Sequence, residues 1–538
     1  MIGAEAIVKC LEEENVKYVF GYPGVAICPF YNAITDSSVK TVLVRTEQSA
    51  AHAASGLART TGTVGVCAVT SGPGATNLLT GIATAFADSI PLVCITGQVD
   101  SSMLGSDVFQ EADVTGAAES FVKYSYLVRN VNDIPRIMKE AFHIASTGRK
   151  GPVLVDVPID IQNATIKNFK YPEELSMRTY KPTVKGNFAQ IKKLVSAVEK
   201  AKKPLICVGG GVALSRAEKE VIDFAQKNNI PVVSTMMGIG VMPTLHPLYF
   251  GMVGNNGKIY ANRAMHECDT LILVGARVAD RAVNRPDIVM ENTVLIHIDV
   301  DPAEIGKNYG PTIPIVGDAK SIFEDLNALD IQSEHGEWLD KLKEYRETLI
   351  QKRDPKPEFT DPAFFIKKLS EKMDDNAAYV ADVGQNQIWS CNYHIVKNGS
   401  FLTSGGMGTM GYSIPAAMGI ALSNPGRQVV AVCGDGSFQM SMCELATIRQ
   451  ENVPVKVVVI KNSYLGMVRE YQHYTYKDNY SVVKLNDYPK LEALAGAYDM
   501  KYLRVCNNEE AEGAIAAMLK EKGPCILEVL VDPEDTVK

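Results

Sequence analysis

The sequence predicts an α/β protein built from three doubly wound parallel-sheet domains. Short apolar strands alternate with helix-length amphipathic segments along the whole chain, the pattern that builds parallel sheets covered by helices. At 538 residues the chain is too long for one hydrophobic core. Two polar, proline-punctuated stretches divide it into units of roughly 160 residues, and no short-period repeat points to a solenoid.

The first unit, residues 1–165, carries strands near Lys17–Phe20, Thr41–Arg45, Val64–Thr70, Pro91–Thr96 and Val153–Val157. A linker at 166–185 follows. The second unit, 186–335, has strands at Pro204–Val208, Pro231–Thr235, Thr270–Val274 and Val294–Ile298. A second linker at 336–359 is charged and contains Asp354-Pro355-Lys356-Pro357. The third unit, 360–532, has strands at Ala378–Asp382, Gln428–Cys433, Lys456–Ile460 and Cys525–Val531. In open α/β sheets ligands sit beyond the carboxyl ends of strands, so chemistry belongs just after these runs.

Composition narrows the partners. A net charge of -8 offers no basic field to displace phosphate counterions, which argues against nucleic acid and for small molecules. The 11 cysteines are scattered and never form CxxC, so core thiols in a reducing cytoplasm are expected rather than disulfides or zinc. No run of about eighteen apolar residues appears, and helical pattern starts at once at Ile2, so a soluble chain with no membrane contact and no targeting leader is expected.

One spacing carries chemistry. After the strand Val429–Cys433 comes Gly434-Asp435-Gly436, then a helical stretch, then a second strand ending in Lys461-Asn462, with 25 residues between Gly436 and Asn462. Asp435 and Asn462 therefore sit at the carboxyl ends of two strands joined by one crossover. A carboxylate and an amide oxygen are hard ligands suited to Mg²⁺, which usually shares its shell with ligand phosphates. Glycines beside them let backbone N–H groups approach a diphosphate at a helix start. Gly-Asp-Gly alone is most often an ordinary turn; the pair at this spacing is far more specific.

The segment resembles the thiamine diphosphate signature, with Lys461 in place of the usual first Asn and the ligand position Asn462 kept. Glu47, in Arg45-Thr46-Glu47-Gln48, stands where that family expects the glutamate that bonds the cofactor's pyrimidine ring, at the matching distance from Gly21-Tyr22-Pro23-Gly24. From Met1 to Asp532 the order of motifs is similar to the acetolactate synthase (acetohydroxyacid synthase) large catalytic subunit family. The run includes Thr70-Ser71-Gly72-Pro73-Gly74-Ala75-Thr76-Asn77, Phe109-Gln110-Glu111, Gly384-Gln385, Thr403 to Gly411 and Leu465-Gly466-Met467-Val468.

The resemblance implies a pyrimidine-binding first domain, a Rossmann-like FAD-binding middle domain and a third domain for thiamine diphosphate and Mg²⁺. Implied metal ligands are Asp435, Asn462 and Tyr464. The diphosphate side falls to Gly384, Gln385, Asn386, Gly408, Met410, Gly434, Asp435, Gly436, Ser437, Asn462, Leu465, Gly466 and Met467, and the pyrimidine side to Pro23, Glu47, Thr70 and Asn77. Met410 is implied as the apolar support that bends the cofactor, Gly24 as a backbone donor to developing oxyanions, and Phe109, Gln110, Met467, Val468 and Tyr471 as neighbours of the reacting atoms. Arg281 is implied as the grip on the acceptor's carboxylate; an ion pair with Asp280 is its competing reading.

In the middle domain, Arg149, Gly209, Gly210, Gly211, Thr235, Met236, Gly275, Arg277, Asp280, Arg281, Asp299, Val300 and Asp318 match positions that bind FAD in the biosynthetic synthases. Glycine-lined strand ends and an arginine suit a dinucleotide diphosphate, and Asp299 after a strand can accept ribose hydroxyls. Asn255 and Asn256 depart from the Met-His pair usual there, Asn386 replaces a histidine, and Ile159, Asp100 and Ser102 are further departures. Tyr471 replaces a tryptophan, which predicts a weaker preference for 2-ketobutyrate as acceptor.

The implied activity is decarboxylation of pyruvate and transfer of its two-carbon unit to pyruvate or 2-ketobutyrate, the first common step of branched-chain amino-acid biosynthesis. The implied assembly is a homodimer or homotetramer with intersubunit sites, with a small regulatory subunit left open. Alternatives are a pyruvate oxidase-type flavin oxidoreductase, another thiamine diphosphate carboligase or decarboxylase, and a silent homologue that only assembles with partners.

Overall fold

The computed structural model describes residues 1–283, 291, 293–350 and 353–537. Each unit is built on one six-stranded sheet, and the strand pairings are parallel throughout the described residues. The first sheet contains β1 (Tyr18–Tyr22), β2 (Lys40–Leu43), β3 (Gly65–Val69), β4 (Leu92–Gln98), β5 (Tyr124–Leu127) and β6 (Pro152–Pro158), in the order β2-β1-β3-β4-β6-β5. The middle sheet contains β7 (Pro204–Val208), β8 (Val232–Ser234), β9 (Tyr249–Met252), β10 (Thr270–Val274), β11 (Val294–Asp299) and β12 (Ile313–Val316), ordered β12-β11-β10-β7-β8-β9. The third contains β13 (Ala378–Ala381), β14 (Ser400–Leu402), β15 (Val429–Gly434), β16 (Lys456–Lys461), β17 (Lys501–Val505) and β18 (Cys525–Leu530), ordered β14-β13-β15-β16-β18-β17.

The inner strands are apolar end to end because helices cover both faces; β3, β4, β7 and β10 are buried at every residue. The sequence reading lacked β5, β9, β12, β14 and β17. All five lie at sheet edges. The second linker also needs correction: Gly336–Thr348 forms a helix that buries Trp338, Leu339 and Leu342 in the middle-domain core, and the Trp338 indole N–H donates to Pro204 O at 3.1 Å. Its charged residues belong to the exposed face of an amphipathic helix, which a composition-based reading takes for a linker.

The first and third domains share a continuous core. Its centre is the crossing of helices Glu47–Thr61 and Ser413–Ser423, where each presents a glycine to the other's backbone. A Cβ on Gly56 would lie 2.1 Å from Ala416 O, and one on Gly419 would lie 2.0 Å from Ala53 O. Such contact is open only to residues without a side chain. The buried Glu444 fixes the same interface, accepting from the backbone N–H groups of Arg45 and Thr46 at 2.9 and 3.1 Å. No helix among the described residues is long and apolar enough to cross a membrane.

Candidate active site

Parallel pairing puts Gly434 of β15 opposite Ile460 of β16, so both chains leave the sheet at one edge, side by side. Gly434 is extended, and the next residue opens a helix at Asp435. Asp435 is 7% exposed, and Oδ2 accepts the Ser463 N–H at 2.7 Å. Burial pushes its carboxyl up to about 7, against the lowering effect of the Ser463 N–H and the Lys461 charge. Asn462 turns its amide oxygen to the Tyr464 N–H at 3.0 Å and its amide nitrogen to Gln385 Oε1 at 3.0 Å. A buried carboxylate beside an amide oxygen, bonded by no basic side chain among the described residues, is a donor set that fits a divalent cation.

Around this pair lies a pocket lined by Gly384, Gln385, Asn386, Met410, Gly434, Asp435, Gly436, Ser437, Asn462, Tyr464, Leu465, Gly466, Met467 and Val468. The structure thus gathers nearly the whole expected diphosphate side; Gly408 lies instead in the larger cleft described below. Gly466 is forced by crowding, since a Cβ there would meet Gln385 Oε1 at 2.0 Å. Gln385 is itself held by the buried Glu470 at 2.9 Å. The pocket also takes in Val383, Trp389 and Ile460, which sequence reasoning missed. Trp389 stands four residues after Gln385, on the same face of helix Gln385–Tyr393, and its buried indole nitrogen has no hydrogen-bond partner among the described residues. That i, i+4 relation was the available signal.

The expected pyrimidine side forms a separate cluster in the first domain. Glu47 opens its helix after the N-cap Thr46, and Glu47 Oε2 accepts from the Asn77 amide at 3.0 Å. Gly24 and Gly74 both crowd Thr70: a Cβ on either would approach Thr70 side-chain atoms to 2.5 and 2.7 Å. The hydroxyls of Thr70 and Ser71 are buried without hydrogen-bond partners among the described residues. Gln110 packs against Gly72 in the left-handed region, at φ 60°, a costly conformation for a non-glycine residue. Its neighbour Phe109 is 87% exposed. None of Pro23, Gly24, Glu47, Thr70, Asn77, Phe109 or Gln110 lines the third-domain pocket. Tyr471 also lies outside it, 60% exposed on helix Gly466–Tyr476.

A cleft of 670 Å³ runs between all three domains, within the range that holds large cofactors. Of the residues matched to FAD positions, Arg149, Gly210, Gly211, Thr235, Met236, Gly275, Arg277, Asp280, Arg281, Asp299, Val300 and Asp318 line it, together with Asn256. Gly209 does not: its N–H donates to Val274 O at 2.9 Å, and a Cβ would strike Gly275 O at 2.3 Å, so it serves turn packing. Two further residues have partners of their own. Arg149 pairs with Asp301 at 3.2 Å and Glu304 at 2.8 Å, and Asp318 caps helix Ala319–Asn327 while accepting from Ser215. Asp299 is raised to about 6 by burial, and Arg281 meets Asp280 only at 3.8 Å, both side chains being exposed. Val383, Gly384, Met410, Met467 and Val468 line both this cleft and the third-domain pocket. A residue missed in the sequence, the buried Asp88, reaches from the first domain to the N–H groups of Gly405 and Gly406 at 3.3 and 2.7 Å, fixing the loop that carries Met410.

Comparison with known proteins accounts for all three units. Residues 1–117, 191–326 and 382–529 match the families described as thiamine pyrophosphate enzyme, N-terminal TPP binding domain, central domain and C-terminal TPP binding domain. The chain is 42% identical to the probable acetolactate synthase large subunit of Methanocaldococcus jannaschii, covering 100% of this chain and 93% of that protein. It is 40% identical to the acetolactate synthase large subunit of Haemophilus influenzae, covering 99% and 95%. The acetolactate synthase isozyme 3 large subunit of Escherichia coli shares 41% identity over 96% of this chain and 92% of its own length.

Proposed function

Because the chain belongs to the acetolactate synthase large-subunit family of thiamine pyrophosphate enzymes, we propose that it decarboxylates pyruvate and joins the remaining two-carbon unit to a second 2-keto acid. Pyruvate as acceptor gives 2-acetolactate, and 2-ketobutyrate gives 2-aceto-2-hydroxybutyrate. The observation that carries this reading is the buried carboxylate of Asp435 beside Asn462 in the lining of a pocket. Thiamine diphosphate, when bound, supplies the carbon nucleophile and the electron sink for loss of carbon dioxide.

The protein's own groups bind, orient and move protons. Asp435 and Asn462, with the backbone at Tyr464, hold Mg²⁺, and Gly434, Gly436 and Ser437 at the helix start take the diphosphate. Glu47 holds a proton at the pyrimidine nitrogen of the cofactor. Met410, whose Cε lies 3.6 Å from the Cβ position of Gly436, would give the cofactor an apolar support. Gly24 and Gln110 would face the reacting carbonyl, and Arg281, whose ion pair with Asp280 is long at 3.8 Å, would grip the acceptor acid. The three-domain cleft holds FAD in a structural role, since carboligation moves no electrons. Separation of the Glu47 cluster from the Asp435 pocket supports a dimer in which each site draws on two chains; a regulatory small subunit fits the large-subunit relatives. Eleven unpaired cysteines fit a reducing, cytoplasmic setting.

The test is product analysis with pyruvate, Mg²⁺ and thiamine diphosphate. Acetolactate, read as acetoin after acid decarboxylation, is expected; oxygen consumption without acetolactate overturns the proposal in favour of an oxidase. Glu47→Gln should lower turnover by about 10²-fold or more with the fold unchanged. Competition with 2-ketobutyrate should show a weaker preference for that acceptor over pyruvate than is usual in the family, as Tyr471 predicts. A denatured supernatant without flavin absorbance removes FAD from the reading.

A further inference from the structure

The cofactor signature departs from its family form at one position, Lys461, immediately before the candidate ligand Asn462. In the structure Lys461 is buried at the end of β16, between two carboxylates. Glu528 Oε1, on the adjacent strand β18, accepts from its ammonium at 2.8 Å, and Asp487, from the segment after helix Gly466–Tyr476, pairs with it on the other side. Glu528 is buried and also accepts from the Tyr502 hydroxyl, so its position is set by the sheet. Asp487 is half-exposed and also pairs with Lys490, so its position is set chiefly by its ion pairs.

The segment that Asp487 ends is packed on the candidate metal site. The Leu465 N–H donates to Val483 O at 2.8 Å, and the Leu485 N–H donates to Ser463 O at 2.9 Å, so residues 483–485 run as a short ribbon behind the turn Asn462–Gly466. Leu485 Cδ1 also lies 3.6 Å from the Cβ position of Gly436, against the diphosphate end of the pocket. The turn carries Asn462, and its Ser463 N–H is the donor that orients Asp435.

We propose that Lys461 is a positioning residue: by tying Asp487 to the sheet through Glu528, it locks the 483–487 ribbon behind the Asn462–Gly466 turn and so fixes the geometry in which the metal and diphosphate are held. The proposal rests on the reading of that pocket as the thiamine diphosphate site. Long-range charge is the competing account, and it has a different sign. Removing the Lys461 charge would tighten a divalent cation beside Asp435, and removing the Asp487 charge would loosen it. A lock loosens binding in both cases.

The test uses the full chain freed of cofactor and titrated with thiamine diphosphate at saturating Mg²⁺. Binding is read by quenching of tryptophan fluorescence: of the two tryptophans, Trp389 lines the pocket and Trp338 is packed in the middle domain. Lys461→Met and Asp487→Asn should each weaken binding by about tenfold or more, the cost typical of losing a support behind metal ligands. The double variant should be no weaker than the worse single one, because both break one lock. Lys461→Arg should retain most of the affinity. Asp487→Asn guards against misfolding, since Asp487 is at the surface and its variant should keep the wild-type thermal midpoint. Binding by both single variants within about twofold of wild type overturns the proposal, and so does tighter binding by Lys461→Met with weaker binding by Asp487→Asn. A wild-type chain that binds no thiamine diphosphate overturns the pocket reading itself.

Discussion

Two buried aspartates show how a carboxylate's neighbours decide its use. Burial raises both Asp156 and Asp435 to about 7. Asp156 is satisfied by Thr96 Oγ1 at 2.6 Å and Gln98 Nε2 at 3.0 Å and lines neither cavity, so it ties β6 to β4. Asp435 accepts the Ser463 N–H and opens on a pocket beside a second oxygen ligand. Without a cation its charge is a burden on the fold. Its folded carboxyl titrates far above the unfolded value, so the stability it lends is full below about pH 4 and is lost as pH rises through 7. Asp435→Asn, which cannot ionise, should therefore raise the thermal midpoint of the cofactor-free protein at pH 8, by at most about 4 kcal/mol of stability, with the gap closing toward pH 4. With Mg²⁺ and thiamine diphosphate added the order should reverse, because only the wild type gains from the cation. A variant that is less stable than wild type at pH 8 without cofactor counts against this account. Asp435 and Asn462 were legible in the sequence because one crossover fixes their spacing. Asp88 and Glu470 were not, because their relevance comes from contacts between segments distant in the chain.

At the scale of elements, the crossing of helices Glu47–Thr61 and Ser413–Ser423 joins Glu47's helix to the helix after the Met410 loop. Its closeness depends on two glycines facing backbone. Gly56→Ala gains about 1 kcal/mol of helix propensity. It also sets a methyl group 2.1 Å from Ala416 O, and overpacking of a close-packed site typically costs about 1–3 kcal/mol. Backbone cannot rotate away as a side chain can, so the clash should win: the midpoint should fall, and activity should fall with it as Glu47 moves. An unchanged or raised midpoint would show that the helices slide apart freely. Sheets were legible to the same degree that they were covered. The central strands read as unbroken apolar runs, whereas β5 and β17, with Tyr124, Lys501 and Arg504 exposed, present solvent on one side and lose that mark. Edge β14 is only three residues long, too short for any pattern. Helix Gly336–Thr348 was hidden for the opposite reason, a narrow apolar stripe on an otherwise charged segment.

For the whole molecule, the expected site residues of one chain fall into two separate groups. The Asp435 pocket takes no lining residue from before Val383, while Glu47, Asn77 and Gln110 gather elsewhere, beside the exposed Phe109 and Val25. If each site draws on two chains, mixing inactive Glu47→Gln with inactive Asp435→Asn, followed by subunit exchange, should restore about a quarter of wild-type activity: half of the random dimers are mixed, and each mixed dimer holds one intact site. No recovery after verified exchange would place both halves in one chain. The domain order and the gathering of the third-domain residues in one pocket could be read from the sequence, whereas the relation of the first-domain cluster to that pocket could not, since its motif residues do not show which surface faces a partner. The two cavities also share Val383, Gly384, Met410, Met467 and Val468 as a common wall. An occupant of one side that shifts these residues reshapes the other, and the two occupants are then thermodynamically linked. The factor by which a ligand in the three-domain cleft changes affinity at the Asp435 pocket must equal the factor by which the pocket's ligand changes affinity in the cleft. A residue of that wall can therefore act as a reciprocal regulator while touching neither a proton nor a metal.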